Sequence, residues 1–473
     1  MNKIHKISNA TSIPTIAIVG GGFSGAIVAV HLLEHANSPL DIKLIERRNP
    51  IGLGVAYSTP FPCHLLNVPV GKMSAFPDLP NHFLYWLQER SPRLENLDAT
   101  AYVPRFLFGE YVQAILARAE SHARTDVTLQ RIADEAISIQ PHLEGAIVKL
   151  QSGKTIRTDK VILALGNFPP SDPAISDRSF YSSKRYISYA WASDAFDDID
   201  RDDPVLLIGS GLTMLDWAIA LHDKGHMGKI YVVSRHGLLP NRHQATFPYP
   251  PFLDIDLAAL NTRTLLKRVR REVEAAATQG HDWRAVIDSL RPITQQIWQA
   301  LPIEEKRRFL RHVRPYWEVH RHRMAPAISE AIATMRNLHR LVICAGCIQA
   351  FREDADGVDV LIRKRSYAES TVIRVGRVIN CTGPECDYRK FQHPLIAALF
   401  RSGLSRPDLL HLGLDVADNG AILDTQGTAS QVLFTLGSPC KGNLWETTAV
   451  PEIRQQAAAI ARELLALVKT GLS

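Results

Sequence analysis

Twice in this chain a short apolar run empties into a glycine-rich turn and then into an apolar helical stretch, an order that few folds use. Thr15-Ile-Ala-Ile-Val19 has the continuous β-branched character of a strand buried on both faces. It runs into Gly20-Gly-Gly22-Phe23-Ser24-Gly25, and Ala26 to His35 has helical composition. Glycines at the first, third and sixth positions let the backbone turn tightly and approach a pyrophosphate, which rests on the helix N-terminal dipole. A second strand, Asp41 to Ile45, ends at Glu46, where such a fold places an acceptor for ribose hydroxyls, with Arg47 beside it. The pattern recurs as Pro204 to Ile208, then Gly209-Ser-Gly211-Leu212-Thr213-Met214, a helix from Leu215 to His222, and a strand from Ile230 to Val233. Ser234, Arg235 and His236 follow it, and Met214 stands where a third glycine would be.

The spacing separates the two turns chemically. Glu46 is 26 residues after Gly20, and Arg235 is 26 residues after Gly209. The equal spacing predicts one position that carries an acid in the first turn and a guanidinium in the second. An acid suits a free 2′-hydroxyl, whereas an arginine grips a 2′-phosphate bidentately. The first turn is therefore read as an FAD site and the second as an NADPH site. Gly20, Gly22, Phe23, Ser24, Gly25, Glu46 and Arg47 are assigned to the first. Gly209, Gly211, Leu212, Thr213, Arg235 and His236 are assigned to the second.

Length allows more than these two units: 473 residues hold about three domains at roughly 150 residues each. Composition is that of a globular protein, 46% apolar and 22% charged, which excludes a disordered, collagen-like or coiled-coil chain. No apolar run approaches the ~20 residues that span a bilayer, and no apolar core precedes Pro14 to make a secretory signal. Six unevenly spaced cysteines make no disulfide framework, so a reducing, cytoplasmic compartment and no membrane are expected. Net charge is +6, with seven Lys/Arg and three His gathered in 306–323. No nucleic-acid motif accompanies that stripe, so nucleic acid is not expected as a partner.

The fold class expected is α/β, two Rossmann-like dinucleotide-binding domains (FAD and NAD(P)) with a helical insertion. Thr158 to Pro169 and Arg377 to Pro384 read as strands ending in turns that cross between the domains. The FAD domain is expected over 1–197 and 378–473, the NAD(P) domain over 198–240 and 336–377, and the insertion over 241–335. In the insertion, Leu265, Leu266, Val269 and Val273 form an apolar stripe on a helix opened by Asn261 or Thr262. Its tail gathers cations and aromatics from His312 to Pro326. His320 and His322 are two apart, without the i, i+4 spacing of a helical metal pair, and no metal is expected. Near the end, Gln431 to Gly437 reads as a strand into a glycine, Lys441 to Glu452 as a loop, and Glu452 to Lys469 as a helix started by Pro451. That helix N-terminus suits the flavin pyrimidine edge, which gains negative charge on reduction. Gly166, Gly437, Trp445 and Thr447 are further FAD-side candidates. A disulfide reductase would need a dithiol beside the flavin. The region after Glu46 holds only Cys63, and Cys344, Cys347, Cys381 and Cys386 read as small buried thiols.

With these residues placed, nearly the whole chain resembles the bacterial FAD/NAD(P)-binding oxidoreductases related to the class B flavin monooxygenases. The stretches that carry the resemblance are Gly52 to Tyr57, His64 to Pro69 with Met73 to Pro77, Tyr102 to Arg105 with Phe108 to Tyr111, Ser234 to Pro240, and Leu444 to Arg454. Its nearest chemistry is that of the lysine and ornithine N-hydroxylases. The resemblance implies that Asn67, Lys72 and Met73, ahead of the Phe83-Leu-Tyr-Trp-Leu87 helix, face the isoalloxazine. Asn67, Lys72 and His320 are the catalytic candidates. The stretch Phe180 to Trp191 departs from the Baeyer–Villiger fingerprint, with Ser182 in place of glycine and Tyr186 in place of histidine. The resemblance thus implies an FAD-dependent, NADPH-using monooxygenase that takes O2 and a small organic substrate, with N-hydroxylation as one form of that chemistry. A flavin reductase or dehydrogenase would carry the same motifs, and an FAD-binding scaffold without activity is the non-enzymatic alternative.

Overall fold

The computed structural model describes residues 13–48, 50–90, 94–253, 261–365 and 370–470. Most of the N-terminal stretch read above for a signal lies outside them. Strand β1 (Thr15–Val19) leads into the helix Phe23–His35 and then β2 (Leu40–Glu46). The helices His82–Arg90 and Arg105–His122 intervene before β3 (Val127–Ala133). An antiparallel three-stranded sheet follows, β4 (Ala136–His142), β5 (Gly145–Leu150) and β6 (Thr155–Thr158), and the chain re-enters the first sheet as β7 (Lys160–Leu163).

The second sheet begins with β8 (Tyr186–Ile187), β9 (Val205–Ile208) and, after the helix Leu212–Asp223, β10 (Ile230–Ser234). A run of short helices from Thr262 to Arg321 separates β10 from the helix Pro326–Asn337. Then come β11 (Leu341–Glu353), β12 (Val358–Lys364), β13 (Ser370–Val375) and β14 (Arg377–Asn380). The chain finally returns to the first sheet with β15 (Ala421–Leu423) and β16 (Ala429–Thr435), and closes with the helix Val450–Thr470.

The first sheet has the order β15-β16-β7-β1-β2-β3, parallel except for β15. The second has the order β13-β12-β11-β10-β9-β14-β8, with β11–β13 antiparallel and the rest parallel. In both, the strand before the glycine turn, β1 or β9, has neighbours on each side reached by opposite crossovers. Its carboxyl end is the switch point at which open α/β sheets bind ligands. Strands buried on both faces explain the apolar runs: Ile16, Ile18, Ile42, Leu44 and Ile162 are fully buried in one core. Val205, Leu207, Met214, Trp217 and Val232 fill the other.

Three segments sit differently from their sequence reading. Tyr186–Ile187 pairs with β14, and β14 pairs with β9, so both belong to the second sheet and lie across the boundaries drawn at 197 and 378. The helix Pro326–Asn337, largely inside the range read as insertion, supplies Ile332 and Met335 to the second core. Parallel pairing of β10 with β11 requires a crossover helix, and this helix fills that role. The segment that projects from the fold therefore ends before Pro326. It is tied at its base by Asn241 N–H to Val319 O (2.9 Å) and His243 N–H to Met324 O (2.8 Å).

The two sheets are joined by a buried clamp. Arg105, at the start of its helix, lays its guanidinium against both carboxylate oxygens of Asp216 at 2.8 Å and donates through Nε to Leu65 O. His64 Nε2 donates to Asp216 O at 3.0 Å, and its Nδ1 accepts from the Thr59 hydroxyl at 2.6 Å.

Candidate functional site

The first cleft opens at the carboxyl ends of β1 and β7, with a volume of about 320 Å³. Gly20, at φ +105°, has no room for a side chain: a Cβ there would lie 2.2 Å from Ala164 O. Gly25 is tighter still, with Gly20 O 1.9 Å from the site of a Cβ. These two glycines let the helix start against the sheet. Gly22 caps the helix without a side-chain acceptor for its first N–H groups. Those groups face the cleft, so the cradle suits an anionic diphosphate.

Glu46 orders the turn. Its Oε2 accepts Gly21 N–H at 2.6 Å and its Oε1 accepts Arg48 N–H at 2.8 Å, which leaves lone pairs for ribose hydroxyls. Gly20, Gly22, Phe23, Ser24, Glu46, Arg47 and Gly166 all line this cleft, and Gly25 lies behind it. Its walls also include Glu135, His393 and Ser438, which sequence reasoning missed. Glu135 accepts from Arg47 and pairs with His393, while the Ser438 hydroxyl donates to Asn167 Oδ1 at 2.7 Å. These groups arrive from three separate segments, and no local motif announces them.

Other FAD-side candidates stand beside the cleft. Gly437, at φ +73°, faces Ser24 Oγ and donates its N–H to Gln456 Oε1. Thr447 is fully buried and donates to Gly437 O, whereas its neighbour Thr448 lines the cleft. Met73 is packed in the first core, and Asn67 is half-buried on the loop leading to it. Trp445 turns the other way, stacked at 4.9 Å on Trp298 of the insertion.

Lys72 reaches solvent but stands in a crowded pocket with Tyr102, His243 and Asp288. Desolvation lowers its ammonium pKa, with repulsion from Arg291, Arg321 and Arg323 adding to this and Asp288 opposing it. Burial likewise pushes His243 down to about 4, so its imidazole is neutral at pH 7. His320 lies elsewhere, edge-on to Trp283 and lining a cavity inside the insertion. The three catalytic candidates are therefore not gathered into one pocket.

The second turn repeats the first with one difference of register. Gly209, at φ +103°, would place a Cβ 2.6 Å from Cys381 O, and a Cβ on Gly211 would meet only open space. Gly211 caps the helix that starts at Leu212 and Thr213, again without a side-chain acceptor. Val19 pairs with Ile45, an offset of 26, but Ile208 pairs with Val233, an offset of 25. Ser234, rather than Arg235, is thus the counterpart of Glu46, which corrects the equal-spacing argument. Its small hydroxyl takes up local hydrogen bonds, accepting from Ser210 Oγ (2.8 Å) and Gly237 N–H (3.0 Å). No carboxylate competes there, and the next residues, exposed Arg235 and half-buried His236, stand at the rim. Arg365, just past β12, donates to His236 Nδ1 and adds a second guanidinium. Its only sequence signal was the basic triplet Arg363-Lys364-Arg365.

Four of the cysteines are held as protonated thiols, whereas Cys347, read above as buried, is exposed. All six are free. Burial pushes Cys63 up to about 11 and Cys440 up to about 12, and it raises Cys344 and Cys381 as well. Among the described residues no helix is long and apolar enough to cross a membrane.

Residues 17–168 match the family model described as FAD-NAD(P)-binding. No curated protein matches the sequence. Among solved structures, an ornithine N-hydroxylase of Kutzneria sp. 744, holding reduced FAD, NADP+ and L-ornithine, aligns over 97% of this chain and 99% of its own. Its TM-score is 0.65 at 16% identity. The reduced ornithine hydroxylase of Pseudomonas aeruginosa covers 96% and 99% with a TM-score of 0.66 at 15% identity. The L-lysine 6-monooxygenase of Pseudomonas syringae covers the same shares with a TM-score of 0.66 at 17% identity. At these identities the likeness is one of fold. This chain thus carries an FAD/NAD(P)-binding domain at 17–168 and has, over nearly its whole length, the two-sheet fold of the ornithine and lysine hydroxylases.

Proposed function

We propose that this protein is an FAD-dependent, NADPH-using monooxygenase of a small organic substrate, with amine N-hydroxylation as its reaction. One observation carries the reading: two glycine cradles at two switch points end in opposite chemistry, Glu46 in one and Ser234-Arg235-His236 with Arg365 in the other. The first suits the unphosphorylated ribose of FAD, the second the 2′-phosphate of NADPH. The division into an FAD-binding and an NAD(P)-binding domain follows the two sheets. When bound, the flavin accepts hydride from the nicotinamide and, once reduced, activates O2.

The chain's own part is placement. Gly20, Gly22 and the free N–H groups of Phe23 and Ser24 would hold the FAD diphosphate, and Glu46 its ribose. Gly209, Gly211 and Thr213 would hold the second dinucleotide, with Arg235 on its phosphate. For an amine, the reaction consumes one O2, one NADPH and one proton and returns a hydroxylamine, water and NADP+. Protonated thiols at Cys63 and Cys440 speak against a dithiol–disulfide reaction. Six free cysteines support a reducing, cytoplasmic setting. The test is product analysis under O2 and NADPH with a panel of primary amines. A hydroxylamine formed in step with NADPH oxidation supports the reading. NADPH oxidation with stoichiometric H2O2 across the panel, or transfer to another acceptor, counts against it.

A further inference from the structure

Leu265, Leu266, Val269 and Val273 share one face of the helix Thr262–Thr278, yet each is only half-buried. Across from them is a cavity of about 570 Å³. Globular proteins rarely leave so much contiguous apolar surface open to solvent, so a cleft of this size lined by apolar side chains is unusual. The start of this helix is held in place. Asn261 caps the helix by accepting Thr264 N–H (2.9 Å), and Thr262 donates both its N–H and its hydroxyl to Glu305 at 2.8 Å. Facing the stripe are Trp283, Trp298, Phe309 and Trp317, with Trp445 as floor. The Trp298 and Trp317 indole N–H groups are engaged, by Gly442 O (2.8 Å) and Glu446 Oε1 (3.0 Å), so these rings offer apolar surface.

An aromatic-lined cavity within the ~300–1,000 Å³ range of small-molecule sites selects an apolar ligand of metabolite size. Trp445 is held at φ +58°, a conformation that bulky residues rarely adopt, three positions before Thr448 on the cleft wall.

We propose that this cavity takes the hydrocarbon body of the substrate, which is therefore a hydrophobic molecule rather than a free polar amino acid. The substrate role rests on the monooxygenase reading; the binding site does not.

The test uses the FAD-loaded full chain. The neutral probe N-phenyl-1-naphthylamine is titrated by fluorescence into wild type, Leu266→Arg, which puts a charge in the cavity, and Leu266→Phe, which fills it. Flavin absorbance and circular dichroism report folding for each. Saturable binding to wild type is expected, displaced by octylamine but not by L-lysine and weakened at least tenfold in the variants. Across butyl-, hexyl- and octylamine, KM for NADPH-dependent oxygenation should fall with chain length, and less steeply in the variants. Absence of saturable probe binding, or binding unchanged in both variants, overturns the site. Probe binding without that chain-length trend overturns the substrate assignment. Failure of NADPH to reduce the flavin removes the oxygenase reading alone, because the probe titration still decides the site.

Discussion

Arg235 has no hydrogen bond or ion pair among the described residues, although it stands beside two groups that are engaged with each other, His236 and Arg365. A charge-assisted hydrogen bond contributes about 1.5–3 kcal/mol. Arg235→Ala should therefore raise KM for NADPH about 10- to 100-fold and leave KM for NADH within about 3-fold, as steady-state kinetics would show. Equal effects on both cofactors would remove the phosphate assignment. Glycine offers a sharper contrast. Gly25→Ala puts a Cβ 1.9 Å from the backbone oxygen of Gly20, which cannot swing aside, so the purified protein should lose its flavin absorbance. Gly153→Ala, away from the cleft, meets nothing within 4 Å and strains only φ (+88°), a cost of about 1 kcal/mol that should leave the protein yellow. At this scale the glycines and Glu46 are legible because a tight turn and a ribose acceptor each demand a residue type. Arg365 is not, because it reaches His236 through strand pairing, 129 positions away in the chain. The exchange of Ser234 for Arg235 in the place of Glu46 is a matter of strand register, which spacing along the chain does not reveal.

Among the elements, the helix Thr262–Thr278 is legible twice over, from its apolar stripe and from the cap at Asn261. What the stripe faces is not legible, since periodicity marks an apolar side without saying whether packed side chains or a cavity lies opposite. The same limit hides the helix Pro326–Asn337, whose pattern fits an insertion as well as a crossover; only the parallel pairing of β10 with β11 assigns it. The insertion is fastened to the C-terminal loop by Trp298, nearly buried, stacked on Trp445 and donating to Gly442. Trp298→Ala should cost about 3–5 kcal/mol and open the insertion to proteolysis before the two sheets unfold. Unchanged proteolysis of that segment would show that its attachment lies elsewhere.

At the scale of the whole molecule, the two larger sheets are joined by a few buried polar groups. Asp216→Ala would leave the Arg105 guanidinium buried without its partner and should cost about 3–5 kcal/mol in denaturant titration. Replacing both, Arg105→Met with Asp216→Leu, should recover much of that, because neither charge is then stranded. His64 links the clamp to pH. Burial and the neighbouring Arg105 lower its pKa from 6.5 to about 4, so the folded state keeps the imidazole neutral while the unfolded chain takes up a proton. Stability should then fall as pH drops from about 6.5 to about 4, by about 2–3 kcal/mol for this group. His31 and His243, also lowered to about 4, add similar slopes, so His64→Gln should remove no more than about a third of the acid sensitivity. The two-sheet plan is legible from the repeated strand–turn–helix order, but the clamp is not, because Arg105 and Asp216 meet only when the sheets are docked. Whether a single chain holds one flavin site and one site selective for NADPH is decided by anaerobic reduction. The yellow protein is mixed with NADPH or NADH in a stopped-flow instrument and its flavin absorbance followed. Rapid bleaching by NADPH is expected, and bleaching at least tenfold slower by NADH at equal low concentration. Bleaching by neither, or by both at the same rate, would contradict it.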